Sequence, residues 1–381
     1  MAAAPTIQPS AGFREAFARH GGAAAAGCYQ CATCSSVCEL APAGAPFPRR
    51  QVLWAQWGLV ERLAADPGPW LCHQCNDCSL RCPRDVAPGD LMAAVRAAVV
   101  ERLAAPALLG SLVGNARRTW PLLVLLPLVF WLVLLAATTG LAVPQVHAGM
   151  AALEGRFYYQ EVVPHLLIYV VYTAAALWSV AAIWTSGRRF WRLLGAGAAR
   201  RGSFLANLVP VLLEIASHRR FARCGRGAPK RRWGHLLVMW GFIGAALTSA
   251  ILVVYLYGFG RYPLPLDHWV KWLGNLSAVA LVVGGTLLYA NRLIPGDRLA
   301  GATSAGDRFF LFTVLGVIAT GVVTELLRFI AVPPAAAVLA YLLHLALVLT
   351  LFLTFPYSKF AHLVYRTLAM VHERMAALAQ A

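Results

Sequence analysis

Six long apolar stretches restrict this chain more than anything else in it: Trp120–Val143, Val162–Trp184, His235–Tyr257, Trp269–Arg292, Phe309–Ile330 and Ala335–Tyr357. A helix that crosses the hydrocarbon of a bilayer needs about 20 mostly apolar residues. Each stretch is close to that length, and most carry no charge. A soluble chain carries about 25% charged residues; this one carries 13%. The sequence therefore predicts a membrane protein with six spanning helices, which puts both termini on one side.

The loops give the orientation, because basic residues mark the cytoplasmic side. Residues 187–232 hold twelve Lys and Arg against the single acid Glu214, which accounts for most of the net charge of +17. The loops on the opposite side, near Gly149 and Gly258, carry almost none. Both termini are thus expected in the cytoplasm, with the protein in the inner (cytoplasmic) membrane. The charge excess reads as a topology signal. The chain shows no basic fold with base-reading residues, so nucleic acid is not an expected partner. Within the basic loop, Phe204–Ser217 is apolar but too short to span, and is expected as a helix lying on the lipid surface or packed on the cysteine-bearing region.

Before the spans lie two cysteine runs, CYQCATCSSVCEL from Cys28 and CHQCNDCSLRCP from Cys72. The N-terminal twenty residues contain no apolar h-region, so no secretory signal is expected. Cytosolic thiols stay reduced, and dense cysteines there read as metal ligands more than disulfides. Each run is C-x2-C-x2-C-x3-C. Three thiolates at three-residue steps wrap three corners of a cubane, while the fourth is directed to the other cluster. Soft thiolates favour iron–sulfur chemistry. Two [4Fe–4S] clusters are expected, the first on Cys28, Cys31, Cys34 and Cys82, the second on Cys72, Cys75, Cys78 and Cys38; zinc and disulfides are the alternatives. Pro83 follows Cys82 as the pattern asks, whereas Glu39 follows Cys38. The intervening stretch has helical spacing at Val52, Trp54, Trp57, Leu59 and Leu63, which reads as core. The fold class expected is all-α: a cytoplasmic α-helical ferredoxin domain over residues 1–110, then a six-helix transmembrane cytochrome b bundle over 111–381 with the basic loop at 187–232.

Ionisable residues inside spans are functional candidates by default. His344 and His362 are separated by 18 residues, five turns if one helix runs through both, and about 27 Å along its axis. Both lie on the last span and so are expected to point the same way; one helix face then offers an imidazole near each side of the membrane, as two stacked b haems require. At the inner edge, His235 follows Arg231 and Arg232, and His362 follows Lys359, so His235–His362 is the expected inner ligand pair. For the outer haem, His165 is the expected partner of His344, with His268 as a rival. The stretch TGVVTELLRF places Glu325 and Arg328 one turn apart, either as a self-neutralised pair or as a site for a quinone head group and its protons.

The two-cluster region resembles the small iron–sulfur subunit of heterodisulfide reductases. The spans, with RRWGHLLVMWGFIG around His235 and the His344/His362 spacing, resemble the cytochrome b family that includes the gamma subunit of respiratory nitrate reductase. The fusion resembles the QmoC family of membrane subunits of quinone-interacting membrane-bound oxidoreductases. In the nitrate reductase family the span of the inner ligand also supplies an outer ligand ten residues on; here that position is Ala245, which puts the second haem in question. HRRFARCG, with His218 and Cys224, also resembles the family.

The resemblance implies electron transfer in dissimilatory sulfur metabolism. Its partners would be two soluble flavin- and iron–sulfur-containing subunits of heterodisulfide reductase A type, adenylylsulfate (APS) reductase, and menaquinone or ubiquinone in the lipid. The alternatives are a membrane subunit of a heterodisulfide reductase- or sulfite-reductase-linked complex, and a non-redox anchor with zinc-filled cysteine runs. No nucleophile or general acid–base pair stands out, so quinone chemistry is the only catalysis expected on this chain.

Overall fold

The computed structural model describes residues 8–41, 46–139, 159, 162–196, 200–220, 228–260, 264, 267–293, 301, 304–327 and 333–380. Among these, every regular element is helical, as expected from the sequence. The cysteine-bearing part is built of short pieces: α1 (Ala11–Arg19), α2 (Thr33–Ser36), α3 (Arg49–Gln56), α4 (Val60–Ala64), α5 (Gly68–Leu71), α6 (Asp77–Leu80) and the longer α7 (Pro88–Leu103). After α8 (Ala107–Gly114) come α9 (Ala116–Thr139), α10 (His165–Gly195), α11 (Phe204–Ser217), α12 (Ala228–Phe259), α13 (Trp269–Leu293), α14 (Ala305–Leu326), α15 (Pro334–Thr354) and α16 (Ala361–Gln380).

Among the described residues, six helical segments are long and apolar enough to cross a membrane, the last taken as Ala335–Leu378. Their outward faces carry large apolar side chains, among them Leu126, Val133, Leu177, Trp184, Leu276 and Leu339. In water such a surface would be costly; against lipid tails it is the expected exterior.

Two stretches differ from the sequence expectation. The run from Arg49 is not one helix, because Gly58 takes φ +70° and ends α3. Val52, Leu59 and Leu63 are core as expected, but Trp57 is turned out to solvent. The last span is not one helix through both histidines either. Pro356 has no amide N–H for the carbonyl of Phe352; that oxygen instead accepts from the Phe355 amide and from the Ser179 hydroxyl of α10 at 2.5 Å. Ser358 is extended, with ψ −172°, and α16 starts afresh at Ala361. The same-face argument for His344 and His362 therefore fails, since the helix between them is interrupted.

The cysteine-bearing part does not hang from a linker. One buried core runs from Phe13 and Phe17 through Val52, Trp70 and Val95 to Phe190 and Leu194 of α10 and to Ala361, Tyr365 and Ala369 of α16. At its centre Trp70 stacks on Tyr365 at 4.6 Å, and Phe190 meets both rings at 5.6 and 4.9 Å. Trp70 lies two residues before Cys72, so this aromatic knot sets the second cysteine run against the ends of α10 and α16. Helix α11 packs Val211 onto Met370, Val371 and Met375 of α16, while Leu205, Val209, Leu212 and Leu213 face outwards. One face of this helix thus packs on protein, on α16 and on Leu71 of the cysteine-bearing part, and its other apolar face is exposed.

Candidate functional site

The two cysteine runs adopt the same unusual backbone. Gln30 and Gln74, each just before the second cysteine, and Ala32 and Asn76, each just after it, all have φ between +50° and +71°. Non-glycine residues rarely sit there, and here each pair of left-handed residues curls the loop back around its sulfurs. Backbone amides turn inward as a result: Gln74 N–H donates to Cys72 Sγ at 3.3 Å and Val86 N–H to Cys82 Sγ at 3.4 Å. Gln30 adds its side-chain amide to Cys28 Sγ at 3.5 Å. Such N–H···S contacts are among the means by which proteins tune iron–sulfur potentials. The sequence carried a sign of this, the Gln shared by CYQC and CHQC, although its spacing alone gives no conformation.

All eight described cysteines are free of disulfides. Cys34 feels the charges of Cys28, Cys31 and Cys82, Cys38 those of Cys72 and Cys75, and Cys78 those of Cys72, Cys75, Cys38 and, last, Cys34. Each run's last cysteine thus lies by the other run. Burial, then the thiols Cys72 and Cys75, pushes the pKa of Cys38 up to about 11, and burial also raises Cys78 and Cys34. Thiolates gathered in such a place need a cationic centre among them. Among the described residues, no group of three or more His, Cys, Asp or Glu could hold a single metal ion. Cys31 differs from the rest: it is exposed, and the Thr33 hydroxyl lowers its pKa.

Three arginines hold the loop of the second run. Arg96 of α7 donates to the carbonyls of Pro69 and Cys72 at 3.1 and 3.0 Å and to Gln74 Oε1 at 3.0 Å. Arg231 of α12 donates to the Gln74 carbonyl at 2.7 Å. Arg366 of α16 donates to the Cys72 carbonyl at 3.3 Å and to His73 Nδ1 at 2.7 Å. His73 is buried; its desolvation, and then the positive charges of Arg366, Arg220, Arg96 and Arg231, lowers its pKa to about 3, so it accepts as a neutral ring. Arg231 is four residues before His235 and Arg366 four after His362, one helical turn in each case. Arg231 stood out in the sequence only as a topology charge, and Arg366 not at all. Their spacing from the histidines was visible there, but their target was not.

His235 and His362 do come together. Their ring centroids are 6.0 Å apart and their planes cross at 78°. At a metal–nitrogen bond of about 2 Å, one iron between two imidazoles sets the centroids about 6 Å apart. The outer nitrogens are both engaged. His362 Nδ1 donates to the Lys359 carbonyl, and Lys359 is itself fixed to Asp307 at 2.9 Å. His235 Nδ1 bonds His218 Nε2 at 2.8 Å, and His218 Nδ1 donates to the Ile215 carbonyl at 2.6 Å. A carbonyl only accepts, so His218 Nδ1 carries that ring's proton; the neutral ring offers Nε2 as acceptor, and His235 Nδ1 carries the proton between the two rings. Each inner histidine therefore keeps Nε2 as its lone pair. A neutral imidazole locked by a hydrogen bond at its other nitrogen is the usual state of an axial ligand.

The outer candidates are not assembled in this way. His344 Nδ1 donates to Thr320 Oγ1 at 3.0 Å, that hydroxyl being committed to the Gly316 carbonyl at 2.6 Å. Its ring lies over Gly321, where a Cβ would come within 3.1 Å of His344 Cε1. His165 stands beside Tyr169, 6.2 Å between centroids, and makes no ring contact or hydrogen bond with His344 among the described residues. His268 faces Tyr255 at 5.0 Å. Glu325 pairs across helices with Lys271, at 3.5 Å. Arg328, the partner expected from the sequence, lies outside the described residues, as does Cys224.

With this arrangement established, comparison with known proteins decides the family. The family model described as citrate utilization protein B matches residues 114–381. The chain belongs to that family. Residues 24–86 match the 4Fe-4S dicluster domain, so this family member is an iron–sulfur electron-transfer protein of the membrane. Citrate utilization protein B of Escherichia coli is 28% identical over 324 residues, 79% of this chain and 80% of the relative. A heterodisulfide reductase C-like protein of Archaeoglobus profundus is 39% identical over 93 residues, 24% of this chain and 47% of that protein. The C component of the H(2):CoB-CoM heterodisulfide,ferredoxin reductase of Methanothermobacter thermautotrophicus is 36% identical over 87 residues, 22% of this chain and 45% of that one. The match thus spans less than half of each of these two heterodisulfide reductase relatives. No solved structure matches.

Proposed function

We propose that this chain passes electrons between soluble flavin- and iron–sulfur-containing subunits and a membrane quinone. Cys28, Cys31, Cys34 and Cys82 would hold one [4Fe–4S] cluster, Cys72, Cys75, Cys78 and Cys38 the second, and His235 with His362 an inner haem b. Clusters and haem carry single electrons when bound. The observation that carries the reading is the arginine link: Arg231 and Arg366, one turn from the paired imidazoles, grip the backbone of the Cys72–Cys75 loop. The order this supports runs from the exposed Cys31 end, where partners would dock, through the Cys72 loop to the imidazole pair. His344 would serve an outer haem with a second ligand such as His165. The Glu325–Lys271 pair lies within the spans, where a quinone taking up two electrons needs two protons. A menaquinone or ubiquinone would be that acceptor or donor. The basic loop and the exposed face of α11 support cytoplasmic termini and an inner-membrane setting.

Two sets of soluble partners are compatible with this wiring. The cysteine domain's likeness to the C component of heterodisulfide reductases favours partners of that complex type, with APS reductase beyond them as in a QmoC-like system. The Escherichia coli relative covers both parts of the chain, and its name favours a partner that handles citrate-like acids. The test is anaerobic purification with iron, sulfide and haem quantification, followed by reduction with dithionite and reoxidation by a menaquinone analogue. Haem and cluster signals that reoxidise together support the reading. A colourless protein with zinc in the cysteine runs refutes it. Supplying reduced APS reductase in one arm, and a flavoprotein with a tricarboxylate donor in another, separates the two partner sets by which one reduces the haem.

A further inference from the structure

His218 serves neither cysteine run and lies outside the spans, yet the end of α11 is built to present it. It caps α11 in the left-handed region, φ +50° and ψ +37°. Histidine enters that region more readily than most non-glycine residues, and such a residue often ends a helix. Four contacts hold it in place here. The His218 ring is pinned through Nδ1 to the Ile215 carbonyl. Arg232, three residues before His235 on α12, donates to the Ser217 carbonyl at 3.0 Å. Arg220, two residues on, joins Glu214 of α11 to Glu373 of α16. The fourth contact is the bond to His235 itself, with the two rings 4.8 Å apart.

We propose that His218 is a positioning residue for haem. Its Nε2 accepts the proton of His235 Nδ1, fixes the tautomer and rotation of that ring, and makes Nε2 of His235 a stronger donor to iron. The two inner imidazoles are thereby made unequal. His362 is oriented by a backbone carbonyl and His235 by another imidazole at the end of the surface helix. A stronger nitrogen donor stabilises the ferric state, so the bond that His235 donates to His218 lowers the reduction potential of the site. This inference rests on the reading of His235 and His362 as a haem pair.

The test compares H218G and H218Q with the parent in the purified holoprotein, with H362A measured alongside. Glycine accepts φ +50° without strain and removes the ring; glutamine keeps an oxygen acceptor for His235. Partners behind a metal ligand change affinity about 10- to 100-fold; where that change falls wholly on the ferric state, the potential of a one-electron couple moves by about 59–118 mV. H218G is expected to raise the midpoint potential of one haem by that amount and to shift its low-spin ferric EPR signal, and H218Q to return both towards the parent. Loss of haem in H218G that H218Q restores supports the same role. A parental potential and EPR signal in H218G overturns the proposal, and so does an H218Q variant shifted or depleted as far as H218G. If H362A keeps its full haem content, the haem pair itself is wrong; if H362A loses haem while H218G is unchanged, only the role of His218 is.

Discussion

Replacing Arg366 with methionine tests the join between the cysteine loop and the haem helix with little change in side-chain length. The guanidinium makes a close hydrogen bond to His73 Nδ1 at 2.7 Å and a longer one to the Cys72 carbonyl at 3.3 Å. A hydrogen bond from a charged donor contributes about 1.5–3 kcal/mol net. The first should count nearly in full, and the second, at the edge of good geometry, adds little. Arg96 and Arg231 still hold the same loop, so R366M should weaken the join without releasing it. The expected cost is about 2–3 kcal/mol, or roughly a 30- to 150-fold rise in the local opening constant. Hydrogen exchange at the amides of residues 72–76 measures that constant, with iron and haem content checked in the same preparation. Exchange faster by that factor, with both cofactors kept, is the expected result. Exchange at the parental rate would show that Arg366 does not fasten the loop, and the proposed electron route would lose its main support.

Other variants probe separate parts of the molecule. C82S should remove or alter the cluster of the first run while the EPR signal of the second remains, because Cys82 lies by Cys34; loss of the second signal alone would refute the crossed assignment. G321V places a side chain where a Cβ already comes within 3.1 Å of the His344 ring, at an overpacking cost of about 1–3 kcal/mol. Haem held by His344 should fall while the inner haem stays, and unchanged spectra would argue against His344 as a ligand. Gly301 has φ +74°, and a Cβ there would lie 2.5 Å from Asp90 Oδ1 and 2.8 Å from Asn76 Nδ2. G301A should therefore lower stability by more than about 1 kcal/mol, read as a drop in the melting temperature of the cluster signal; an unchanged melting temperature would show that this contact does not brace the second run.

Hydropathy made the spans legible, because a helix in lipid must be long and apolar whatever surrounds it. Phe204–Ser217 was bounded correctly for the same reason, with polar residues at both ends. The cysteine spacing announced the dicluster domain, since ligand geometry sets the intervals between sulfurs. What the sequence did not disclose was pairing between distant elements. Arg231 read as a topology charge and Arg366 drew no reading, while their role depends on a loop from the other part of the chain. His218 had no visible purpose until His235 stood beside it. The break after Thr354 was written in Pro356, yet continuing the helix to His362 ignored the amide that proline lacks. The contact of Glu325 with Lys271 was not legible either, because Lys271 comes from another helix.

The central claim is that the cysteine runs carry two clusters and that His235 and His362 hold a haem beneath them. The most direct measurement is low-temperature EPR with optical haem quantification on the parent and H362A, both purified anaerobically. The account predicts two interacting [4Fe–4S] signals and a low-spin haem in the parent. In H362A it predicts the same cluster iron and one haem fewer. Parental haem content and spectra in H362A, or a parent without cluster signals, would contradict it.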